Sequence, residues 1–149
     1  MVQTLENHEP IYNEMRKGLA LLKSGDQGNA EQCILQAWKM IPDPQYNWDI
    51  SQIVVIRIAK FFRDIKKFAE AEQWAQNIFK CNPAPGDAEP YIVLGSIYLE
   101  SGDLMAAREN LQKAFDLAGK RGFQGHDPKY LKFLKDKNQP NLLLKTSQR

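Results

Sequence analysis

Small side chains recur at regular intervals in the last third of the chain, and they limit the folds that it can adopt. Gly95 is followed by Ala107 and Ala114, and a Gly102-Asp103 pair lies between them. Bulky residues flank the glycine: Tyr91 four residues before it, Leu94 directly before it and Tyr98 three residues after it. Two helices that cross at close distance need small residues at the crossing point and bulky ones around it. The segment therefore predicts two antiparallel helices joined by a tight turn.

The same pattern occurs twice more when the chain is aligned on the small residue of each second helix. That position is taken by Ala30, Ala71 and Ala107, and the matching position of each first helix is taken by Gly18, Ala59 and Gly95. The three units cover about 11–44, 52–85 and 88–121, and each has the length of about 34 residues that is typical of such a repeat. The middle unit departs from the pattern, since Asp64-Ile65-Lys66-Lys67 replaces the glycine turn.

This repeat resembles the tetratricopeptide family, in particular its small stand-alone bacterial members. The resemblance implies an all-α fold, a right-handed superhelical stack of three helix-turn-helix repeats in a single domain over 1–149. The expected helices cover about 11–23, 29–40, 48–63, 68–80 and 103–120, with a further helix that Asp87 caps. Asp127 and Pro128 begin a helix over 127–137 that would cover the open end of the stack.

Both ends of the chain are expected to lie outside the repeats. Residues 1–10 have no apolar core typical of a signal peptide and form a leader for which disorder is expected. Disorder is also expected for the tail, 138–149. The alternative is that its apolar triplet Leu142-Leu143-Leu144 docks on a neighbouring protein or on a second copy of the chain, which would give a homodimer.

Composition excludes several functional classes. The 149 residues are 43% hydrophobic and 26% charged with a net charge of +2, which does not favour nucleic acid as a partner. No apolar run is long enough to insert into a membrane, and a reducing cytoplasmic location is expected. Cys33 and Cys81 fall on second helices, where burial as free thiols is the expectation.

We find no pattern of residues that indicates an enzyme. His8 and His126 lack a second ligand at helical spacing, so no metal site is expected. The chain has no glycine-rich phosphate loop and no nucleophile elbow. Catalytic residues, cofactors and metals are therefore all expected to be absent.

The resemblance implies that the first helix of each repeat lines a concave groove. The residues that would line it are Tyr12, Met15, Arg16, Leu19 and Lys23; Ile53, Ile56, Arg57, Lys60 and Arg63; and Glu89, Ile92, Val93, Ser96 and Glu100. The middle of this surface is basic, which suits a protein partner with acidic and apolar features. The alternative is that Arg57, Lys60 and Arg63 are the solvated face of one helix.

A second candidate surface lies in the long linker after the first repeat. Tyr46 and Trp48 are placed there as exposed anchors, because aromatic side chains often dominate the energetics of interfaces. Trp38 and Trp74 fall on second helices, where packing is the expected role.

The predicted function is a non-enzymatic protein-protein binding module. Small bacterial proteins of similar repeats include immunity proteins that block toxins and chaperones of secreted effectors, and both roles are carried as specific hypotheses. The rival prediction is a self-associating scaffold, structural or regulatory, in an envelope or secretion assembly.

Overall fold

The computed structural model of the protein describes residues 2–136, whose regular elements are all helical. This confirms the all-α prediction. The α-helices are α1 (Glu9–Lys23), α2 (Gln27–Lys39), α3 (Ser51–Asp64), α4 (Phe68–Asn77), α5 (Glu89–Ser101), α6 (Leu104–Ala118) and α7 (Pro128–Lys135). Short 3₁₀ turns cover Gln45–Asn47, Ile78–Cys81 and Gly119–Phe123.

The helices pair as neighbouring hairpins within two compact units, the first ending at Pro83 and the second beginning at Ala84. In the first unit α1 packs on α2, α3 packs on α4, and α2 also contacts α3. In the second unit α5 packs on α6, and α7 contacts both. The predicted right-handed superhelix stays a prediction.

Small residues occupy the helix crossings, as the sequence pattern predicts. Ala30, Ala71 and Ala107 have no exposed surface. A Cβ atom on Gly18 would lie 2.9 Å from Cγ1 of Ile34, so glycine is the residue that lets α1 approach α2. These contacts fix the register of the hairpins.

The turns between paired helices share one backbone conformation even where their sequences differ. Gly25 and Gly102 have φ of +92° and +93°, values that glycine adopts without steric cost. In the middle hairpin Lys66 takes the same position, with φ of +64°. Asp26 and Asp103 then cap α2 and α6 by accepting backbone N–H groups, whereas α4 begins after Lys67 with no side-chain cap. The middle turn is thus built from less suitable residues.

The second unit has a core of its own, which α7 completes. Tyr130, Phe133 and Leu134 of α7 are buried against α5 and α6. Asp127 caps α7 by accepting the N–H of Lys129 at 3.0 Å. At the other end, the guanidinium of Arg108 donates to the carbonyl oxygens of Phe133 and Leu134, both at 3.3 Å. Both ends of this short helix are therefore satisfied, and it covers apolar side chains as expected.

The expectation of a disordered leader is wrong for the described residues of 1–10. The N–H of Gln3 donates to the carbonyl oxygen of Asn47 at 2.7 Å, and its carbonyl accepts the N–H of Asp49 at 2.7 Å. A carboxylate oxygen of Asp49 accepts the N–H of Leu5 and also lies 3.1 Å from Nε2 of His8. The leader is held because it satisfies backbone groups of the long linker.

Some predicted helix limits are also corrected. The fourth helix ends at Asn77 and continues as a 3₁₀ turn that stops at Asn82, whose φ is +54°. Ala88 occupies the N-cap of α5, although the side chain of Asp87 still accepts the N–H of Glu89. The predicted tail, 138–149, and its leucine triplet lie outside the described residues.

Candidate functional site

The predicted partner-binding residues of the first unit form two stripes along neighbouring helices. On α1 the stripe is Tyr12, Arg16, Leu19 and Lys23, and on α3 it is Ile53, Ile56, Arg57 and Lys60. Each stripe advances mainly by three or four residues, so its members share one helix face. We call this surface the α1–α3 face.

A direct contact joins the two stripes. The guanidinium carbon of Arg57 lies 5.6 Å from the centre of the Tyr12 ring. At this distance the cation is attracted to the electron-rich face of the ring. Tyr12 also meets the imidazole of His8 edge-on, with ring centres 6.0 Å apart. The Tyr12 ring therefore contacts both the His8 imidazole and the Arg57 guanidinium of α3.

Aliphatic side chains are exposed on both stripes of this face. Leu19 is 43% exposed and Ile53 is 39% exposed. Val54, Val55 and Ile58 of α3 are by contrast fully buried, because they point into the core. Full burial of an aliphatic side chain contributes about 1.5–3 kcal/mol. Leu19 and Ile53 are only partly buried, so a partner that covers them gains the remaining part of this free energy.

The charges of the α1–α3 face are unevenly neutralised. Arg16 donates to Oδ1 of Asn13 and, at 3.4 Å, to Oε1 of Glu9. Among residues 2–136 no carboxylate lies within ion-pair distance of Arg57 or Lys23. The Arg57 guanidinium is thus oriented by a ring while its hydrogen-bond donors are not taken by an acid.

Other predicted lining residues do not offer surface, which corrects the expected list. The Arg63 side chain is only 12% exposed and its Nε donates to Asp64 at 2.9 Å. Met15, Ile92, Val93 and Ser96 have no exposed surface. The periodicity that selected these residues fixes a helix face but not the depth at which a side chain sits.

In the second unit several predicted lining residues have internal roles. Ile92 belongs to the core around α7. The hydroxyl of Ser96 donates to the carbonyl oxygen of Val93 at 2.7 Å, one turn earlier in α5. Oε1 of Glu89 lies 2.6 Å from Nε2 of His126. The predicted groove over all three repeats stays a prediction.

The second predicted surface is largely used within the chain. The Tyr46 ring centre lies 5.1 Å from that of Trp38 and 5.3 Å from the ammonium of Lys80. Nε1 of Trp48 donates to the carbonyl oxygen of Pro42 at 2.8 Å. Tyr46 and Trp48 are half-buried and fix the linker, so neither is the exposed anchor that we expected. The spacing of residues in the linker could not predict these contacts, because they join side chains to groups in other segments of the chain.

The two cysteine thiols are held in their protonated, unreactive form. Burial raises the pKa of the Cys81 thiol to about 11. Burial, helped by the carboxylate of Glu14, also raises the pKa of Cys33. Both thiols are free, as predicted. Within residues 2–136 no three side chains of His, Cys, Asp or Glu come together in a way that could hold a metal ion.

One comparison with known families identifies the third hairpin. The model of the tetratricopeptide repeat matches residues 88–121, the range that holds α5, its turn and α6. The chain therefore contains a tetratricopeptide repeat at residues 88–121. No curated protein matches this repeat protein.

The family places general limits on function. Tetratricopeptide repeats are protein-protein interaction modules, and the family is generally non-enzymatic. The matched range is the one that the sequence pattern assigned to the third repeat. No helix among residues 2–136 of this repeat protein is long and apolar enough to cross a membrane.

Proposed function

We propose that the α1–α3 face binds a partner protein through a segment that combines a carboxylate with bulky apolar side chains. The observation that carries the proposal is the Arg57 guanidinium, which lies over the Tyr12 ring and on the same stripe as the exposed Ile53. Arginine can offer a planar pair of N–H donors to a carboxylate, and aliphatic neighbours can exclude water from that bond.

The contact with Tyr12 makes Arg57 a better anchor than a freely rotating surface arginine. Ordering a long side chain on binding costs about 0.5–1.5 kcal/mol. Because the ring already restricts the guanidinium, part of that cost is met in the free protein. Lys23 and Arg16 add positive charge at the edge of the face, where it raises the association rate and makes binding sensitive to salt.

The two specific roles suggested by family resemblance differ in the state of the partner. An immunity protein occludes a folded toxin and forms a one-to-one complex in the cytoplasm of the producing cell. A chaperone of secreted effectors holds an extended or partly folded segment. The aliphatic residues of the face suit either role. A folded partner would indicate an immunity protein, and an extended or partly folded partner would indicate a chaperone.

Photo-cross-linking tests the proposal and captures the partner in the same experiment. A benzoyl-phenylalanine placed at Ile53 is expected to yield a covalent adduct with one protein in the native host lysate. Met105 on α6 is 58% exposed and provides a matched apolar control site. Identical adducts from both positions, or adducts of the chain with itself at position 53, would argue against the proposal.

Self-association is the rival function, and sizing separates it from partner binding. The proposal expects a monomer by light scattering in the absence of partner and a one-to-one complex in its presence. A concentration-dependent oligomer that survives Ile53→Glu would favour the scaffold instead.

A further inference from the structure

The second unit contains a positively charged pocket that lies outside the α1–α3 face. It lies between the 3₁₀ turn Gly119–Phe123, the loop that follows it and α7, and its volume is about 480 Å³. Its walls include the apolar side chains of Phe123, Pro128 and Leu131. Pockets that accept ligands typically have volumes of about 300–1,000 Å³ and mostly apolar walls with a few polar groups. We call it the α7 pocket.

Three lysines border the α7 pocket, namely Lys120, Lys132 and Lys135. Among residues 2–136 none of them lies within ion-pair distance of a carboxylate. Their neighbour Lys129 differs, since its ammonium lies 2.8 Å from Glu100 and 3.9 Å from Asp127. Positive charge therefore accumulates at the pocket while the lysine beside it is neutralised.

Two of these lysines are held close to each other. Burial lowers the pKa of Lys135, and the nearby ammonium of Lys120 lowers it further. Like charges held together are unfavourable in the free protein, and an anion between them would remove the repulsion.

Two of the residues that line the α7 pocket are fixed before any ligand binds. The His126 side chain is 4% exposed, and its Nε2 lies 2.6 Å from Oε1 of Glu89 on α5. Phe123 is 6% exposed and belongs to the core of the unit. A site whose walls are already ordered costs less to bind.

We propose that the α7 pocket docks a peptide segment of a protein partner, in which a carboxylate side chain stands next to a bulky apolar one. The carboxylate lies between Lys120 and Lys135, and the apolar side chain lies against Phe123 and Leu131. Charge complementarity selects this occupant. The chain's own residues 137–149 contain no Asp or Glu and include Lys137, Lys145 and Arg149, so they do not match the lysines. The inference is independent of the α1–α3 face and stands if that proposal fails.

Titration of the full chain with a pair of synthetic peptides tests the pocket. The probe is acetyl-Gly-Glu-Leu-Glu-Phe-Gly-amide, and its control has Gln in place of both Glu residues. In ¹H–¹⁵N spectra the acidic probe is expected to shift the amides of Phe123, Gln124 and Leu131 saturably. The neutral control should bind about tenfold more weakly or worse, since a hydrogen bond to a charged group is worth about 1.5–3 kcal/mol.

Matched lysine variants distinguish the site from general attraction to positive charge. The double variant Lys120→Ala/Lys135→Ala is expected to lose the saturable shifts, while Lys113→Ala, an exposed lysine of α6 outside the pocket, retains them. Because the ammonium of Lys135 also lies 5.9 Å from the centre of the Phe115 ring, thermal unfolding of the double variant is measured beside binding, and a folded variant that does not bind shows that the loss is not due to unfolding.

The inference is overturned if the acidic probe gives no saturable shift at millimolar concentration, or if the Gln peptide binds equally well. It is also overturned if Lys113→Ala loses probe binding as fully as the double lysine variant does. A fourth contrary result is that the probe binds only after the chain is truncated behind Asp136. The last result would make the chain's own tail the occupant of the pocket.

Discussion

A Cβ atom built on Gly95 would lie 2.6 Å from both Cγ and Cδ2 of Leu111, and 3.2 Å from the backbone nitrogen of Leu111. Helices α5 and α6 therefore touch at a point where only a hydrogen atom fits. Since real Cβ atoms do not approach others at such distances, any side chain at this position forces the hairpin apart. The match of the tetratricopeptide model covers this closely packed hairpin.

Gly95→Ala is expected to destabilise the protein by about 1–3 kcal/mol, the usual range for an overpacked core. Urea unfolding followed by circular dichroism measures the change. Gly28→Ala is the matched control, because no atom lies within 4 Å of its Cβ and it also sits in a helix. The control should be neutral or stabilising by up to about 1 kcal/mol. If Gly95→Ala is as stable as the wild type, the register of the third hairpin is wrong.

The middle turn predicts a stabilising substitution. Lys66 has φ of +64°, in the left-handed region, where a residue with a Cβ atom is strained by about 1–2 kcal/mol. Lys66→Gly relieves this strain but makes the unfolded chain more flexible, so a net gain below about 1 kcal/mol is expected in thermal unfolding. In the opposite direction, Gly102→Ala at the equivalent turn should lower stability. A loss of stability in Lys66→Gly would show that the lysine side chain contributes more than the strain costs.

The buried thiols predict low chemical reactivity. Because burial raises the pKa of Cys81 to about 11, almost none of it is thiolate at neutral pH. Iodoacetamide should label Cys81 and Cys33 many times more slowly in the folded protein than in urea. Mass spectrometry of timed samples measures both rates. Fast labelling of either cysteine under native conditions would contradict the burial that the structure shows.

The contact between the leader and Asp49 predicts a response to acid. The N–H of Leu5 and the side chain of His8 hold the pKa of Asp49 below its ordinary value of 3.8. A lowered pKa means that the carboxylate stabilises the folded arrangement at neutral pH. This stabilisation is lost as the pH falls below 3.8 and through the lowered value.

Amide NMR tests the leader contact. The Leu5 amide shift should titrate with a midpoint below 3.8, and Asp49→Ala should speed hydrogen exchange at Leu5 already at neutral pH. Asp43→Ala, at an exposed carboxyl of the same linker, serves as the control. Equal protection of Leu5 in the wild type and both variants would mean that the leader does not depend on Asp49.

Local regularities made the hairpins predictable from sequence, whereas contacts between distant segments were not. Gly18 and Ala30 specify a helix crossing because small residues at this spacing let two helix backbones approach closely. The order of the leader depends on backbone hydrogen bonds between Gln3 and the residues beside Trp48, and backbone groups leave no trace in side-chain patterns.

The candidate site was predictable only as a helix face. Arg57 and Arg63 are both basic residues of α3, yet Arg57 is exposed and the Arg63 side chain is 12% exposed beside Asp64. Similarly, Lys132 and Lys135 look like an ordinary solvated stripe of α7, and their place at a pocket follows from the turn that ends at Phe123.

The central claim is tested most directly by isothermal titration calorimetry, in which the partner identified by cross-linking is titrated into the Arg57→Glu variant. Lys39→Glu makes the same change of charge at an exposed site of α2 and serves as the control. Binding through the α1–α3 face predicts that Arg57→Glu weakens affinity by at least about 2 kcal/mol, as expected for an interface anchor, while Lys39→Glu stays close to wild type. Equal affinity of Arg57→Glu and the wild type would contradict the account.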